Sequence, residues 1–322
     1  MSNPIATPAG PPAADSTNSE SRQRWKITER TIQVILGIFW LLDGALQLQP
    51  YFFSNGFVHD MVGSMATGQP TLVGGPIVFM VNLVQPAHVL FNAGFAAIQI
   101  ILGLGLILSQ RWVKATLVAS FIWTLVVWWF GEGLGMLAMG AANPLTGAPG
   151  AVVLYAIIGY SVWPTGRQPG PIAASAGPLG EKGARAAWGL LWLLDAGLML
   201  LPVNRDPDAF KSILTVAANQ TPGALSTLDG NLAHLLSGQG TIAAMLLAIL
   251  MATIGVAVSI NRASNLCLAL GSVLAIFFWI TTEYLGGMLT GQGTDPNSGP
   301  LIVLLALGLY NQRRPLWVGR ER

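Results

Sequence analysis

Residues 36–50 read LGIFWLLDGALQLQP: an apolar run closed by a proline, with one carboxylate, Asp43, inside it. Its centre, Phe39-Trp40-Leu41-Leu42-Asp43, returns as Leu191-Trp192-Leu193-Leu194-Asp195, and Pro202 follows the second copy at the same spacing as Pro50 follows the first. An apolar run of this kind predicts a helix, and proline, which lacks an amide hydrogen and clashes with the preceding turn, ends it. The aspartate is the anomaly. A charge at the centre of a bilayer costs on the order of 3 kcal/mol on insertion scales, so each aspartate has to be protonated, paired, hydrated or metal-bound.

Composition places these helices in lipid. Hydrophobic residues make up 52% of the 322 and charged residues 9%. A soluble domain carries about 25% charge, so this chain has too little to cover a water-facing surface. The composition excludes a disordered chain, a disulfide-stapled secreted domain and an ordinary cytosolic enzyme. With a net charge of +2, no nucleic-acid partner is implied. The single Cys267 sits in an apolar run and reads as packing.

Eight stretches are apolar over lengths near the roughly 20 residues a spanning helix needs: 30–49, 86–109, 115–134, 145–164, 185–202, 231–259, 263–282 and 297–312. With the N-terminus in the cytoplasm, fourteen of the sixteen Lys and Arg fall on the cytoplasmic side. Only Arg205 and Lys211 fall outside. Cytoplasmic loops are enriched in basic residues, so the pattern predicts a multi-pass protein of the cell membrane with both termini inside. The expected organisation is a disordered cytoplasmic tail (1–23), a four-helix repeat (24–164), a Gly/Pro-rich cytoplasmic linker (165–184), a second four-helix repeat (185–315) and a short tail (316–322). The first apolar run reads as a retained anchor and not as a signal peptide.

The repeat extends beyond the aspartates. Trp128 through Glu132 matches Trp279 through Glu283, and Asn143-Pro144 matches Asp295-Pro296 less closely. Tyr160 pairs with Tyr310, and His88 pairs with His234 at a somewhat shorter offset. Four spans per half is an even number, so both halves cross in the same direction. The expected fold is all-α, eight transmembrane helices as two parallel four-helix repeats.

Asp43, His88, Glu132, Asp195, His234 and Glu283 are the candidate ion or proton site. Asp43 lies roughly 10 Å inside the outer end of its helix, and His88 and Glu132 are expected at similar depth. Gln47 shares the Asp43 face, one helical turn on. His88, Asn92 and Gln99 fall within about 40° of one another around a helix. The steps from His234 that correspond carry Gly238 and Met245, so the first half is the better candidate for an active site. An Asp/His/Glu set suits a divalent metal such as zinc or copper, although no HxxxH, ExxH or CxxC spacing supports one. Trp40, Trp128, Trp192 and Trp279 lie near the acids, placed either to stack on a flat ligand such as a quinone or to form the interfacial belt.

Each half resembles the four-helix unit of the DoxX-like membrane family. The similarity rests on the first helix LGIFWLLDGALQLQP, the amphipathic stretch Phe57 to Met65, the glycine-rich helix FAAIQIILGLGLIL and the basic turn Arg111 to Lys114. The resemblance implies a link to quinone-coupled sulfur oxidation, a quinone, and a soluble or membrane redox partner. The lipid bilayer is the expected partner, and three functions stand open: handling of a cation or protons through the Asp/His/Glu cluster, a membrane subunit of a quinone-linked oxidoreductase, and a non-catalytic scaffold or assembly factor. No Ser-His-Asp or phosphate-loop arrangement is present, and whether the protein is an enzyme stays open.

Overall fold

The computed structural model describes residues 26–313, so the tails expected at 1–23 and 316–322 lie outside the described residues. The described chain is all-helical, with eleven α-helices, several short 3-10 turns and one short π-helix, and no strand among the described residues. The first LGIFWLLD run lies in α1 (Glu29–Leu46) and its second copy in α6 (Gly180–Met199). A reciprocal cap starts α1: the Thr28 hydroxyl accepts the Thr31 amide at 3.1 Å, and the Thr31 hydroxyl accepts the Thr28 amide at 3.2 Å.

The remaining helices of the first half are α2 (Thr71–Val84), α3 (His88–Leu108), α4 (Val113–Phe130) and α5 (Ala151–Ser161). Those of the second half are α7 (Ala209–Gln220), α8 (Gly223–Leu235), α9 (Gly240–Ser259), α10 (Ser264–Ile280) and α11 (Ser298–Leu309). Four segments are long and apolar enough to cross a membrane: Thr71–Leu108, Val113–Phe130, Gly240–Ser259 and Ser264–Thr290. They point to a membrane protein.

The other four expected spans fall short for identifiable reasons. Glu29, Arg30 and Asp43 lower the hydropathy of α1, as Glu181, Lys182, Arg185 and Asp195 lower that of α6. The stretch 145–164 is helical only over the 11 residues of α5, and 297–312 only over the 12 of α11. At 1.5 Å per residue these reach about 17 and 18 Å, against a hydrocarbon core of about 30 Å. Of the stretches that do qualify, 231–259 is broken between α8 and α9. There Gly238 takes φ +74°, and Gly240 lies so close to the Asp206 carbonyl that no Cβ would fit.

Two glycine contacts set the main helix crossings. A Cβ on Gly37 would lie 2.9 Å from the Gly103 carbonyl oxygen, and one on Gly103 would lie 2.7 Å from that of Gly37, so α1 and α3 touch through backbone. Gly189 and Gly255 do the same for α6 and α9, at 3.0 Å each way. Small residues at such crossings permit the close approach that helix association in lipid depends on. Gly189 follows Gly37, and Gly255 follows Gly103, at the same offset that separates Asp195 from Asp43.

The short helices α5 and α11 pack on each other, and each touches both α1 and α6. One apolar core runs through both halves, with Trp40, Tyr155, Trp188, Leu117 and Leu301 almost fully buried in it. A smaller cluster, centred on Phe52, Phe57, Val58 and Val84, lies under the segment between α1 and α3. Arg30 closes the far end of α3: its guanidinium donates to the carbonyls of Leu106 at 2.6 Å and Ile107 at 2.5 Å.

Candidate functional site: a carboxyl-lined chamber

Glu132 and Glu283 follow the ends of α4 and α10, where the chain makes an abrupt left-handed turn. Leu134, Gly135 and Met136 have φ of 55°, 61° and 58°, and Leu285, Gly286 and Gly287 have 60°, 67° and 65°. The tryptophans one turn earlier anchor both bends. The indole of Trp128 donates to Pro149 O at 2.8 Å, and that of Trp279 to Pro296 O at 2.7 Å. The counterpart of Pro296 in this contact is therefore Pro149 and not Pro144. These two tryptophans hold loops and do not line the chamber described below.

Each glutamate then meets the start of a short helix, where unpaired amides favour an anion. Glu132 Oε1 accepts the Val152 amide of α5 at 3.2 Å. Glu283 accepts the Gly299 amide of α11 at 3.3 Å and the Ser298 hydroxyl. The two differ in what is left over: Glu132 Oε2 is buried with no partner, whereas both oxygens of Glu283 are engaged.

Glu132 borders a chamber of about 280 Å³ whose wall also includes Asp43, Gln47, Gln99, Trp40, Trp123 and Asp295. Asp43 is 2% exposed and lies in the last turn of α1, nearer the helix end than its distance from Pro50 implied because the helix stops at Leu46. The Tyr155 hydroxyl faces its carboxyl, but neither that hydroxyl nor Asp43 Oδ1 completes a hydrogen bond of good geometry. Trp40, the nearest indole in sequence, donates instead to Ser120 Oγ at 3.1 Å. Gln47 and Asn92 satisfy one another: Gln47 Nε2 donates to Asn92 Oδ1 at 2.5 Å, and Asn92 Nδ2 to Gln47 O at 3.0 Å. They clamp α1 to α3. Gln99 Oε1 and Trp123 Nε1 are, like Asp43 Oδ1 and Glu132 Oε2, buried without a partner. Buried polar groups are nearly always hydrogen-bonded to protein or to ordered water, so these four atoms on residues of one chamber wall are open to a partner held there.

A second, more polar cavity of about 410 Å³ adjoins the chamber, and Met61, Gly131, Glu132, Thr294 and Asp295 belong to both walls. Glu283, Tyr284, Asn143 and Asn297 line this vestibule. Asp295 sits at the join. Its Oδ1 accepts the Asn297 amide at 2.7 Å and its Oδ2 the Thr294 hydroxyl at 2.8 Å. Burial pushes its carboxyl above the usual range although both hydrogen bonds oppose this. Its charge also acts on Asp43, Glu132 and Glu283.

Asp43 and Glu132 thus meet at one chamber, and Glu283 borders the adjoining vestibule. The other expected members are elsewhere. His88 begins α3, partly exposed, with Nδ1 3.1 Å from Gln85 O, and lines neither cavity. His234 lies in α8, not in the helix that pairs with α3, and is exposed. The expected His88–His234 equivalence fails because the residues sit in different elements. With the glycine contacts as register, Gln47, Asn92 and Gln99 correspond to Met199, Ala244 and Met251. Asp195 is buried with an unpartnered Oδ1, and the indoles of Trp188 and Trp192 on the same helix also lack partners, but none of these lines either cavity. Among the described residues no three of His, Cys, Asp and Glu are grouped to hold a metal ion, which corrects the expected Asp/His/Glu donor set. In the sequence Asp295 is visible only as half of an Asp-Pro pair, and Trp123 carries no signal beyond helical spacing.

Compared with known proteins, the chain matches no family model, no curated protein and no solved structure.

Proposed function

We propose that this is a multi-pass membrane protein of two parallel four-helix repeats that handles protons or a cation through Asp43, Glu132 and Asp295. Ions enter the vestibule, meet Glu132 and Asp295 at the join, and reach Asp43 in the chamber. Both termini lie in the cytoplasm and the vestibule faces outward. The observation that carries this reading is the convergence of three carboxyls, Asp43 fully buried and Glu132 and Asp295 partly buried, two of them with an unmet oxygen, on one chamber that adjoins a polar cavity. Ionisable groups inside a membrane protein characteristically serve ion and proton pathways. The doubled Trp–Pro and Glu–amide contacts support the repeat, as do the two glycine crossings at one common offset.

The test is a pH jump across vesicles holding the purified protein and an internal pH-sensitive dye, repeated with sodium and potassium gradients. The expected result is proton or cation movement that Asp43→Asn abolishes while the variant keeps its thermal unfolding midpoint. Wild-type traces that match empty vesicles overturn the reading, as does full activity in Asp43→Asn.

A further inference from the structure

The unpartnered atoms of the chamber are unequal in kind. Of the buried unpartnered atoms on the lining residues, Asp43 Oδ1, Gln99 Oε1 and Glu132 Oε2 are oxygens and Trp123 Nε1 is an N–H donor; the Tyr155 hydroxyl faces Asp43 from outside the lining. No Lys, Arg or His lines the chamber. Most of the remaining wall is hydrocarbon, including the rings of Phe57, Phe91, Phe95 and Phe130.

These features discriminate between ligand classes. A bare divalent ion needs a shell of oxygens on all sides, which the described residues do not assemble here. An anion meets carboxyls and no positive charge. A neutral hydrophobic molecule without hydrogen to donate covers the aromatic wall but leaves three oxygens desolvated. A protonated amine on an apolar body satisfies both parts of the wall. Its N–H groups and charge go to the carboxyls as charge-assisted hydrogen bonds, and its cation and body lie against aromatic faces. The volume suits one ring with a short chain, since a dry cavity of about 150 Å³ already admits benzene.

We propose that the chamber binds a hydrophobic organic cation, an amine in its protonated form, with the ammonium group toward Asp43 and Glu132 and the apolar body against Phe91, Phe95 and Trp123. This rests on the carboxyl cluster being the ion-handling site and adds the class of cation. The polar vestibule gives the charged head a route in, and Glu132 and Asp295 are the first carboxyls it meets.

The experiment compares phenethylamine with phenethyl alcohol, which share ring and chain but differ in charge. Binding to the purified full-length protein in detergent is read near neutral pH by calorimetry and by the fluorescence of Trp40 and Trp123. The amine is expected to bind at least about tenfold more tightly than the alcohol, about 1.4 kcal/mol. Asp43→Asn is expected to erase that preference, and Phe95→Leu to weaken both ligands. If Asp43→Asn fails to fold, Glu132→Gln carries the comparison, because its amide oxygen still accepts from Val152. Equal binding of the two, a preference for the alcohol, binding of neither, or a preference that survives both carboxyl substitutions overturns the proposal. Ion movement in amine-free vesicles separates the two readings. Movement without amine preference overturns this inference alone, and amine preference without movement overturns only the ion-handling function.

Discussion

Glu132 holds the amide of Val152 with one carboxylate oxygen, at 3.2 Å, and leaves the other buried against Gly150 without a partner. A single side chain thereby caps α5 and borders the chamber. Its counterpart Glu283 spends both oxygens on α11. The pair should respond differently to substitution. Glu132→Gln is expected to keep its unfolding midpoint and lose ion movement by about tenfold or more, whereas Glu283→Ala is expected to lose about 1–3 kcal/mol of stability as the Ser298 hydroxyl and Gly299 amide lose their acceptor. Thermal unfolding and vesicle flux on the same preparations decide this.

The glycine crossings give a purely structural prediction. Gly103→Val and Gly255→Val should each destabilise the protein by about 1–3 kcal/mol, because the added atoms have nowhere to go but into the Gly37 or Gly189 backbone. Gly94→Ala, on the same helix as Gly103 but with nothing within 4 Å of its Cβ, should be neutral or slightly stabilising. Unfolding midpoints in one detergent test the contrast.

Arg30 binds the last carbonyls of α3 from the start of α1, so Arg30→Gln should lower stability by about 1–2 kcal/mol. Protease sensitivity near residue 108 should rise with it. An unchanged midpoint and cleavage pattern would show the cap to be idle.

Asp295 predicts a pH dependence of stability. Its folded-state value is raised by burial, so folding favours its protonated form. That contribution is complete below the unfolded value of about 3.9 and is lost as pH rises through the folded value. The wild-type midpoint should therefore fall over this window, and Asp295→Asn, which keeps an acceptor for the Asn297 amide, should flatten the fall. A parallel slope in the variant would assign the dependence to another group.

Asp43 and Glu132 are legible in sequence because each interrupts or closes an apolar run, and an apolar run is a local property. What the run does not show is where each helix stops: α1 ends at Leu46, three residues past Asp43, and α4 at Phe130, before Glu132. The histidines are not legible in the same way, because helical spacing says which residues share a face, not where a helix begins or which helix it packs on. By apolarity alone His234 belongs to a long span, and that span is the one Gly238 and Gly240 break.

Composition and 3.6-residue periodicity are enough to establish an all-helical chain too apolar for water, with its unusual carboxylates in matched pairs. Burial of side chains and satisfaction of backbone hydrogen bonds leave lipid-embedded segments few other forms. Which carboxylates share a cavity is a property of the packed molecule. Asp43, Glu132 and Asp295 come from a helix, a bend and a loop far apart in the chain, and their meeting depends on the Gly37–Gly103 crossing and on α11 packing against α5 and α1. The same packing leaves Asp195 buried but lining neither cavity. Two near-identical motifs thus acquire different surroundings because distance across helices is set by how backbones cross, which no periodicity along one chain encodes.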